Sequence, residues 1–118
     1  MVRAKEDTPE AFADIIVDIA KLRDYCLSEN HPRGRHKARI FRSRLGLSAD
    51  HADVLRQALL DAARNKLDLL RPIGADEFGR RYALDFEIST TLGTAMLRSS
   101  WIVRTGQDVL RLVSCYVR

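Results

Sequence analysis

The stretch that decides the fold is the C-terminal third of the chain, residues 81–118, RYALDFEISTTLGTAMLRSSWIVRTGQDVLRLVSCYVR. In its first part apolar and polar residues alternate, which is the pattern of a half-buried β-strand. Short breaks at 90–93 and 105–106, each containing a glycine, interrupt the alternation. The stretch therefore predicts three strands joined by tight turns, at 81–88, 94–104 and 109–118, in an antiparallel meander.

The residues before this stretch have helical rather than strand periodicity. Ala38, Phe41 and Leu45 repeat at helical spacing, and Gly46 ends that segment. Ser48 is a good N-cap for a second helix. Its predicted buried stripe is Leu55, Leu59, Ala62, Ala63 and Leu67. We predict an α+β fold, with N-terminal helices packed on one face of a C-terminal antiparallel sheet of at least three strands.

Three further segments have weaker patterns. Residues 14–19, DIIVDI, suit either an edge strand or the first turn of a helix, and both alternatives stay open. Residues 20–27 that follow are expected to be helical. Residues 68–79 contain Pro72 and two glycines, and are expected to form a loop.

Length and composition define the broad class. At 118 residues the chain is predicted to be one domain, 1–118, with residues 1–13 as a flexible acidic lead-in. Apolar runs are too short to span a membrane, and the acidic N-terminus does not resemble a secretory signal, so we expect a cytoplasmic protein. Cys26 and Cys115 lack metal-ligand spacing and are expected to be buried thiols. No metal and no cofactor is predicted.

The basic residues are concentrated in one segment. Residues 33–44 contain six basic side chains and no acidic one, although the whole chain has a net charge of only +4. Such a density favours a polyanionic partner, either RNA or an acidic protein surface. The candidate nucleic-acid-binding residues are Arg33, Arg35, Arg39, Arg42 and Arg44. Of these, Arg35, Arg39 and Arg42 form the outward-facing side of the helix predicted over about residues 35–45 (α2), and they are here called the α2 stripe.

Strand parity selects candidate residues for chemistry in the sheet. If the alternating apolar residues of 82–88 face the helices, Arg98 and Ser100 point to the opposite, open face. On the last strand we predict a core set of Val109, Val113, Cys115 and Val117. Ser114 and Tyr116 would then join Arg98. A guanidinium with hydroxyl groups is suited to a phosphoryl group, although a polar outer face is also ordinary for an antiparallel sheet.

A second group of candidates lies before and within the first long helix. His31 and His36 carry imidazoles that titrate near neutrality, so either can exchange a proton with a ribose hydroxyl or a leaving oxygen. Lys37 lies four residues before Phe41 and therefore shares the inward side of the helix, either aimed at a site or snorkelling from the core. His51, by contrast, is expected to be a surface residue.

Several of these residues belong to a longer pattern. The quoted segments are His31-Pro32, GRHKARIF at 34–41, DEFGRRY at 76–82, RSSWIV at 98–103 and LVSCY at 112–116. This HP-x-G-x-x-KA-x-x-F pattern resembles an uncharacterised bacterial domain family, found as stand-alone proteins and at the C-termini of polymorphic toxins. The order of helices and meander is also similar to the barnase, EndoU, colicin and RelE-like ribonuclease superfamily.

The resemblance implies both residues and a function. Its pattern falls on His31, Lys37, Arg98, Trp101, Ser114 and Tyr116, although parity assigns Trp101 to packing in the core. It implies a toxin-like, metal-independent ribonuclease, a hydrolase that leaves 2′,3′-cyclic phosphate ends on RNA. Its partner in a toxin–antitoxin or polymorphic-toxin system would be an acidic antitoxin or immunity protein. The alternative is a non-catalytic module, including an antitoxin or immunity role, that binds nucleic acid or protein through residues 33–44.

Overall fold

The computed structural model describes residues 12–118 and has the predicted α+β architecture, with helices on one face of a five-stranded sheet. Strand β1 is Asp14–Ile16, so the open alternative at 14–19 is resolved as an edge strand. A short helix, α1 (Ile19–Lys21), continues as a π-helical turn over Leu22–Cys26. The helical prediction for 20–27 is therefore confirmed for most of its length. Of the predicted lead-in, residues 1–11 lie outside the described part, whereas Phe12 packs against the core.

Two longer helices follow. The first has its predicted boundaries, whereas the second ends at Asn65, so Leu67 of its predicted buried stripe lies in a 3₁₀ turn, Leu67–Leu69, and is only partly buried. Helix α2 is Arg35–Leu45 and ends at Gly46, whose φ of 71° is in the left-handed region that favours glycine. Ser48 precedes a 3₁₀ turn at Ala49–His51 and helix α3, Ala52–Asn65. His51 is exposed as expected, and its Nδ1 accepts a hydrogen bond from the backbone N–H of Ser48 at 3.1 Å.

The C-terminal half forms the meander. Strands β2 (Arg71–Asp76), β3 (Gly79–Ser89), β4 (Thr94–Arg104) and β5 (Val109–Val117) are antiparallel neighbours, and β1 joins the far edge parallel to β5. The expectation of a loop at 68–79 is wrong, because residues 71–76 pair with the start of β3. Every residue of β2 is exposed, so it lacks the apolar alternation by which strands are recognised.

The core lies between the helices and one face of the sheet. Phe41 of α2 and Leu55 of α3 pack there in one cluster with Leu84, Leu97 and Trp101. The parity predicted for β3 and β4 is confirmed by this set. Within residues 12–118 no helix is long and apolar enough to cross a membrane.

The predicted parity of β5 is correct only in its C-terminal half. Cys115 and Val117 are buried as expected, but Leu110 and Leu112 replace Val109 and Val113 in the core. The cause is a register shift between Ser100 and Trp101, where Ser100 pairs with Ser114 and Trp101 with Leu112. One extra residue in β5 at this bulge exchanges the inward and outward positions.

One buried polar group helps fix the parity of β4. Ser99 is fully buried, its hydroxyl donates to the Leu84 carbonyl at 2.7 Å, and the indole Nε1 of Trp101 donates to that hydroxyl at 2.8 Å. Trp101 is itself fully buried, which confirms its packing role. Because both side chains point into the core, Arg98 and Ser100 must point to the other face.

Candidate functional site: the open face of the sheet

On the sheet face turned away from the helices, here called the open face, three successive rows of side chains that run across the strands contain the candidate residues. Residues paired between strands share a row, and successive rows are two residues apart along each strand, except at the bulge in β5, where they are three residues apart. The first row is Asp85, Arg98 and Tyr116; the second is Ala83, Ser100 and Ser114; the third is Arg81, Ile102, Arg111 and Ile16.

The first row holds a fixed guanidinium. Arg98 donates from Nε and Nη2 to the two carboxylate oxygens of Asp85, at 2.9 and 2.8 Å. Asp85 also accepts from Nη1 of Arg118 at 3.2 Å. This bidentate pairing, and to a smaller extent the neighbouring Tyr116 hydroxyl, raises the pKa of Arg98. Among the residues that the structure describes, Nη1 and one Nη2 hydrogen of Arg98 have no further hydrogen-bond partner and can donate to a ligand.

Lys37 reaches the same row from the helix layer. Its Nζ lies 4.4 Å from the centroid of the Tyr116 ring, in a cation–π contact. Helix α2 and the π-helical turn both contact β5, and Lys37 extends from α2 to the row at that strand. The structure therefore brings together three of the candidate residues: Lys37, Tyr116 and Arg98.

Ser114 lies in the second row, beside a pair of thiols. Cys26 and Cys115 are free and buried. Hydrogen bonding to Cys115, and more weakly to the Ser114 side chain, lowers the pKa of Cys26 to about 7. Hydrogen bonding to Cys26 and burial raise the pKa of Cys115. The Ser100 hydroxyl donates to the Ser114 carbonyl at 3.4 Å, so Ser114 is engaged on both sides.

His31 lies in the turn before α2 and is held in one orientation. Its Nδ1 accepts hydrogen bonds from the backbone N–H groups of Arg33 and Gly34, at 3.1 and 3.2 Å. Its ring packs edge-on against Tyr25, with 4.6 Å between centroids. Because Nδ1 accepts two hydrogen bonds, the neutral ring carries its hydrogen on Nε2, which is therefore a hydrogen-bond donor.

Gly34 is required for this packing. A Cβ at position 34 would lie 2.8 Å from the Tyr25 carbonyl oxygen and 3.4 Å from its ring. Within residues 12–118, His31 makes no ring contact or hydrogen bond to Lys37, Arg98 or Tyr116. It lies six residues before Lys37, in the turn that precedes α2.

The remaining basic candidates are exposed on α2 and the turn before it. His36 lies in the first turn of α2 and is exposed. Arg33, Arg44 and the α2 stripe are exposed as well. Arg42 pairs with Glu29 at 3.2 Å. These residues form a charged surface separate from the row that contains Arg98.

Strand parity alone does not identify two further candidate residues of the open face. Asp85 was placed on the open face but not recognised as the partner that orients Arg98, although counting outward from the turn at 90–93 pairs the two residues. Arg111 was not considered, because its assignment to the open face depends on the bulge in β5. Within residues 12–118, no three His, Cys, Asp or Glu side chains are grouped so that they could hold a metal ion.

Comparison with known proteins shows which family the chain belongs to. Residues 8–118 match the family model described as "Domain of unknown function (DUF6883)", and the chain belongs to this family. No curated protein matches the chain. Among solved structures, the fold is similar to a chain of the "Contact-dependent growth inhibition toxin - immunity protein complex from Klebsiella pneumoniae 342". That match has a TM-score of 0.66 and 15% identity, and it covers 87% of this chain and 99% of that one.

Proposed function

We propose that this protein is a toxin-like, metal-independent ribonuclease that cleaves RNA and leaves 2′,3′-cyclic phosphate ends. The observation that carries the proposal is the convergence of Lys37, Tyr116 and Arg98 on one row of the open face. Two cations beside a phenol, drawn from α2 and from two strands, form a compact site for one phosphodiester rather than a diffuse charged surface.

In this proposal Arg98 and Lys37 hold the scissile phosphate. Asp85 fixes the Arg98 guanidinium through two hydrogen bonds, so its remaining N–H groups are oriented before substrate binds. Lys37 supplies a second positive charge from the side of the Tyr116 ring. Fixed cations stabilise the charge that develops on the phosphoryl oxygens in the transition state more effectively than reorganising water does.

The reaction assigned to this site is an internal transesterification. The ribose 2′ oxygen attacks phosphorus and forms the cyclic phosphate, while the bond from phosphorus to the 5′ oxygen breaks. A general base takes the 2′ proton, and a general acid returns a proton to the departing 5′ oxygen, so no metal is required. Tyr116 and Ser114 would orient the phosphate or protonate the leaving oxygen.

The base or acid is assigned to His31. It lies at the same end of α2 as Lys37, and its Nε2–H can donate a hydrogen bond to a phosphate oxygen. To act as the base, the ring would take up the proton at Nδ1 and give up its two backbone hydrogen bonds. His36 is the alternative on the same helix, although it is exposed and makes no comparable contacts among the described residues. Substrate binding would have to bridge the distance between His31 and the first row.

The family resemblance and the fold support a role in a toxin system. The similar solved chain comes from a toxin–immunity protein complex, and either component has a cognate protein partner. For this chain we propose the toxin role, in the cytosol, with an acidic antitoxin or immunity protein covering the exposed arginines of α2. Electrostatic complementarity of this kind speeds association and selects the partner.

The test uses inducible expression and purified protein. Lys37→Ala and Arg98→Ala should each relieve growth arrest and lower RNA cleavage about a hundredfold, by analogy with loss of a preorganised transition-state donor. Lys66→Ala is the matched control, because Lys66 is an exposed lysine at the end of α3. Undiminished cleavage in both site variants, or products lacking a cyclic phosphate, would refute the assignment.

The exposed α2 stripe favours a second candidate, a non-catalytic module that binds nucleic acid or an acidic protein. Such a module needs only a charged surface, and the α2 stripe provides one. Purified protein that binds RNA with a steep salt dependence, yet never generates a cyclic-phosphate end in the presence or absence of divalent metal, would establish this candidate instead.

A further inference from the structure

The open face has a cavity of about 280 Å³ at the end remote from Lys37. It lies where β1 joins β5, and Ile16, Ile102 and Arg111 of the third row contribute to its lining. Val113, the extra residue of the β5 bulge, adds apolar surface, and Leu112, whose side chain faces the core, also borders the cavity. Three cations and one carboxylate complete the wall: Lys21, Arg104, Arg111 and Asp18.

Arg111 has a donor that its own protein leaves unused. Within residues 12–118, its Nε is buried and has no hydrogen-bond partner. Buried donors are nearly always satisfied, and leaving one unsatisfied is costly, so such a group calls for an explanation. A phosphate oxygen in the cavity would accept from this guanidinium, and charge-assisted hydrogen bonds to phosphate are among the strongest available to arginine.

The size and lining of the cavity suit one nucleotide. Its volume is near the lower end of the roughly 300–1,000 Å³ found for small-molecule sites, which is too small for a duplex. The apolar residues offer a surface for a base, and the three cations outnumber the single carboxylate. Asp18 already accepts from the Ala20 N–H at 2.9 Å, so part of its charge is engaged.

The cavity is within reach of the proposed cleavage row. Ile102 is four residues from Arg98 along β4, a separation of ~13 Å at ~3.3 Å per residue. A single strand covers such a distance in a few nucleotides, inside the roughly 4–16 nucleotides held by other sheet-based single-strand sites. Ser100 lies on the open face between the two positions.

We propose that this cavity is a nucleotide-binding subsite, which holds one nucleotide of the same RNA strand a few positions away from the scissile phosphate. The inference rests on the proposed function for its substrate, but it assigns different residues: Arg111, Arg104 and Lys21. The subsite aligns the strand along the open face and contributes binding energy without touching the reacting atoms.

The first experiment measures binding without cleavage. Fluorescein-labelled random hexanucleotides carrying 2′-O-methyl groups cannot undergo the proposed reaction, because the attacking hydroxyl is blocked. Fluorescence anisotropy at constant salt should show about tenfold weaker binding for Arg111→Gln. Arg64→Gln is the matched control, since Arg64 is an exposed arginine on α3 in the helix layer. Hexanucleotide binding that is unchanged by Arg111→Gln overturns the subsite.

A second variant guards against misfolding. Arg111 is partly buried, so Arg104→Gln, at an exposed residue of the same cavity, is measured beside it, with thermal melting as a check on both. If only Arg111→Gln weakened binding and it also melted early, while Arg104→Gln had no effect, the proposal would be wrong. Mononucleotides competing as well as hexanucleotides would also refute it, because a strand would then gain nothing from the cavity.

Cleavage kinetics separate this inference from the function on which it rests. With hexanucleotide RNA, Arg111→Gln should raise KM about tenfold and leave kcat within twofold, as expected for a contact made equally in the ground and transition states. Failure of the wild-type protein to cleave, with arginine-dependent hexanucleotide binding intact, would refute the ribonuclease and leave the subsite standing. Normal cleavage with an unchanged KM in both cavity variants would refute the subsite and leave the ribonuclease standing.

Discussion

Replacing Ser99 by alanine should destabilise the fold more than its size suggests. The hydroxyl donates to the Leu84 carbonyl at 2.7 Å and accepts from the Trp101 indole at 2.8 Å, at a position with no solvent exposure. Ser99→Ala removes one hydrogen bond outright and leaves the Trp101 N–H buried without an acceptor. Together these losses should lower the free energy of unfolding by about 2–4 kcal/mol.

The assay is equilibrium unfolding in urea with a parallel thermal melt. At about 4 °C per kcal/mol for a domain of this size, the melting temperature should fall by roughly 8–16 °C. Ser100→Ala is the matched control on the adjacent open-face position. Its hydroxyl makes only a 3.4 Å contact, so the change should stay within about 0.5 kcal/mol.

A double-mutant cycle tests the cause directly. Trp101→Phe removes the indole N–H. When it is combined with Ser99→Ala, no buried donor is left without an acceptor. The double variant should therefore lose less stability than the sum of the two single changes, by about 1 kcal/mol or more. Strict additivity, or a Ser99→Ala effect no larger than that of Ser100→Ala, would refute the claim that this buried network fixes the parity of β4.

Three further predictions concern the candidate site and the residues that position it. Neutralising the α2 stripe should flatten the salt dependence of RNA binding by roughly 0.7 log–log units per lost contact. Cleavage at saturating RNA should be unchanged. Reduced turnover would contradict the separation of the α2 stripe from the row that contains Arg98. The Arg98 pairing lowers the pKa of Asp85, so its stabilising contribution is present above pH ~3.9 and is lost as pH falls through the lower folded-state pKa. The free energies of unfolding of the wild type and Asp85→Asn, measured as a function of pH, should therefore become equal at low pH. A difference between them that does not change with pH would contradict this prediction. Gly34→Ala should force the Tyr25 carbonyl to shift and displace His31, so it should reduce cleavage while the fold persists; wild-type cleavage kinetics would remove His31 from the mechanism.

Most of the fold could be predicted from the spacing of apolar residues, because that spacing depends on which side of each helix or strand is buried. In residues 94–104 every predicted inward residue is buried, although Ile102 on the open face is buried as well. Strand β2 could not be predicted, because an edge strand exposed on both faces has no apolar pattern to reveal it. Proline and glycine within it favoured a loop, and both lie at its irregular register between Pro72 and Gly74.

The candidate site was predictable only in part, because some of its residues are positioned by features that leave no local pattern in the sequence. Turn positions and alternation are enough to place Arg98 on the open face. The parity of β5 depends on one extra residue, and nothing in the sequence at 109–117 distinguishes the bulged register from the regular one. The position of Lys37 beside Tyr116 depends on how α2 packs against β5, which is a tertiary contact without a local signal.

In the proposed function, the arrangement of charge lets one small domain both attract RNA and act on it. The α2 stripe is exposed and acts over a distance that salt screens, whereas Arg98 is held by a carboxylate at fixed geometry. Lys37 belongs to the same helix as the stripe, yet its amine lies over the ring of a β5 residue. Helix α2 thus connects the two surfaces: one side supplies general attraction, and the other places a single charge where a phosphate bound by Arg98 would lie. A pure binding module has no need for that second, oriented charge, and this is the physical reason for favouring catalysis.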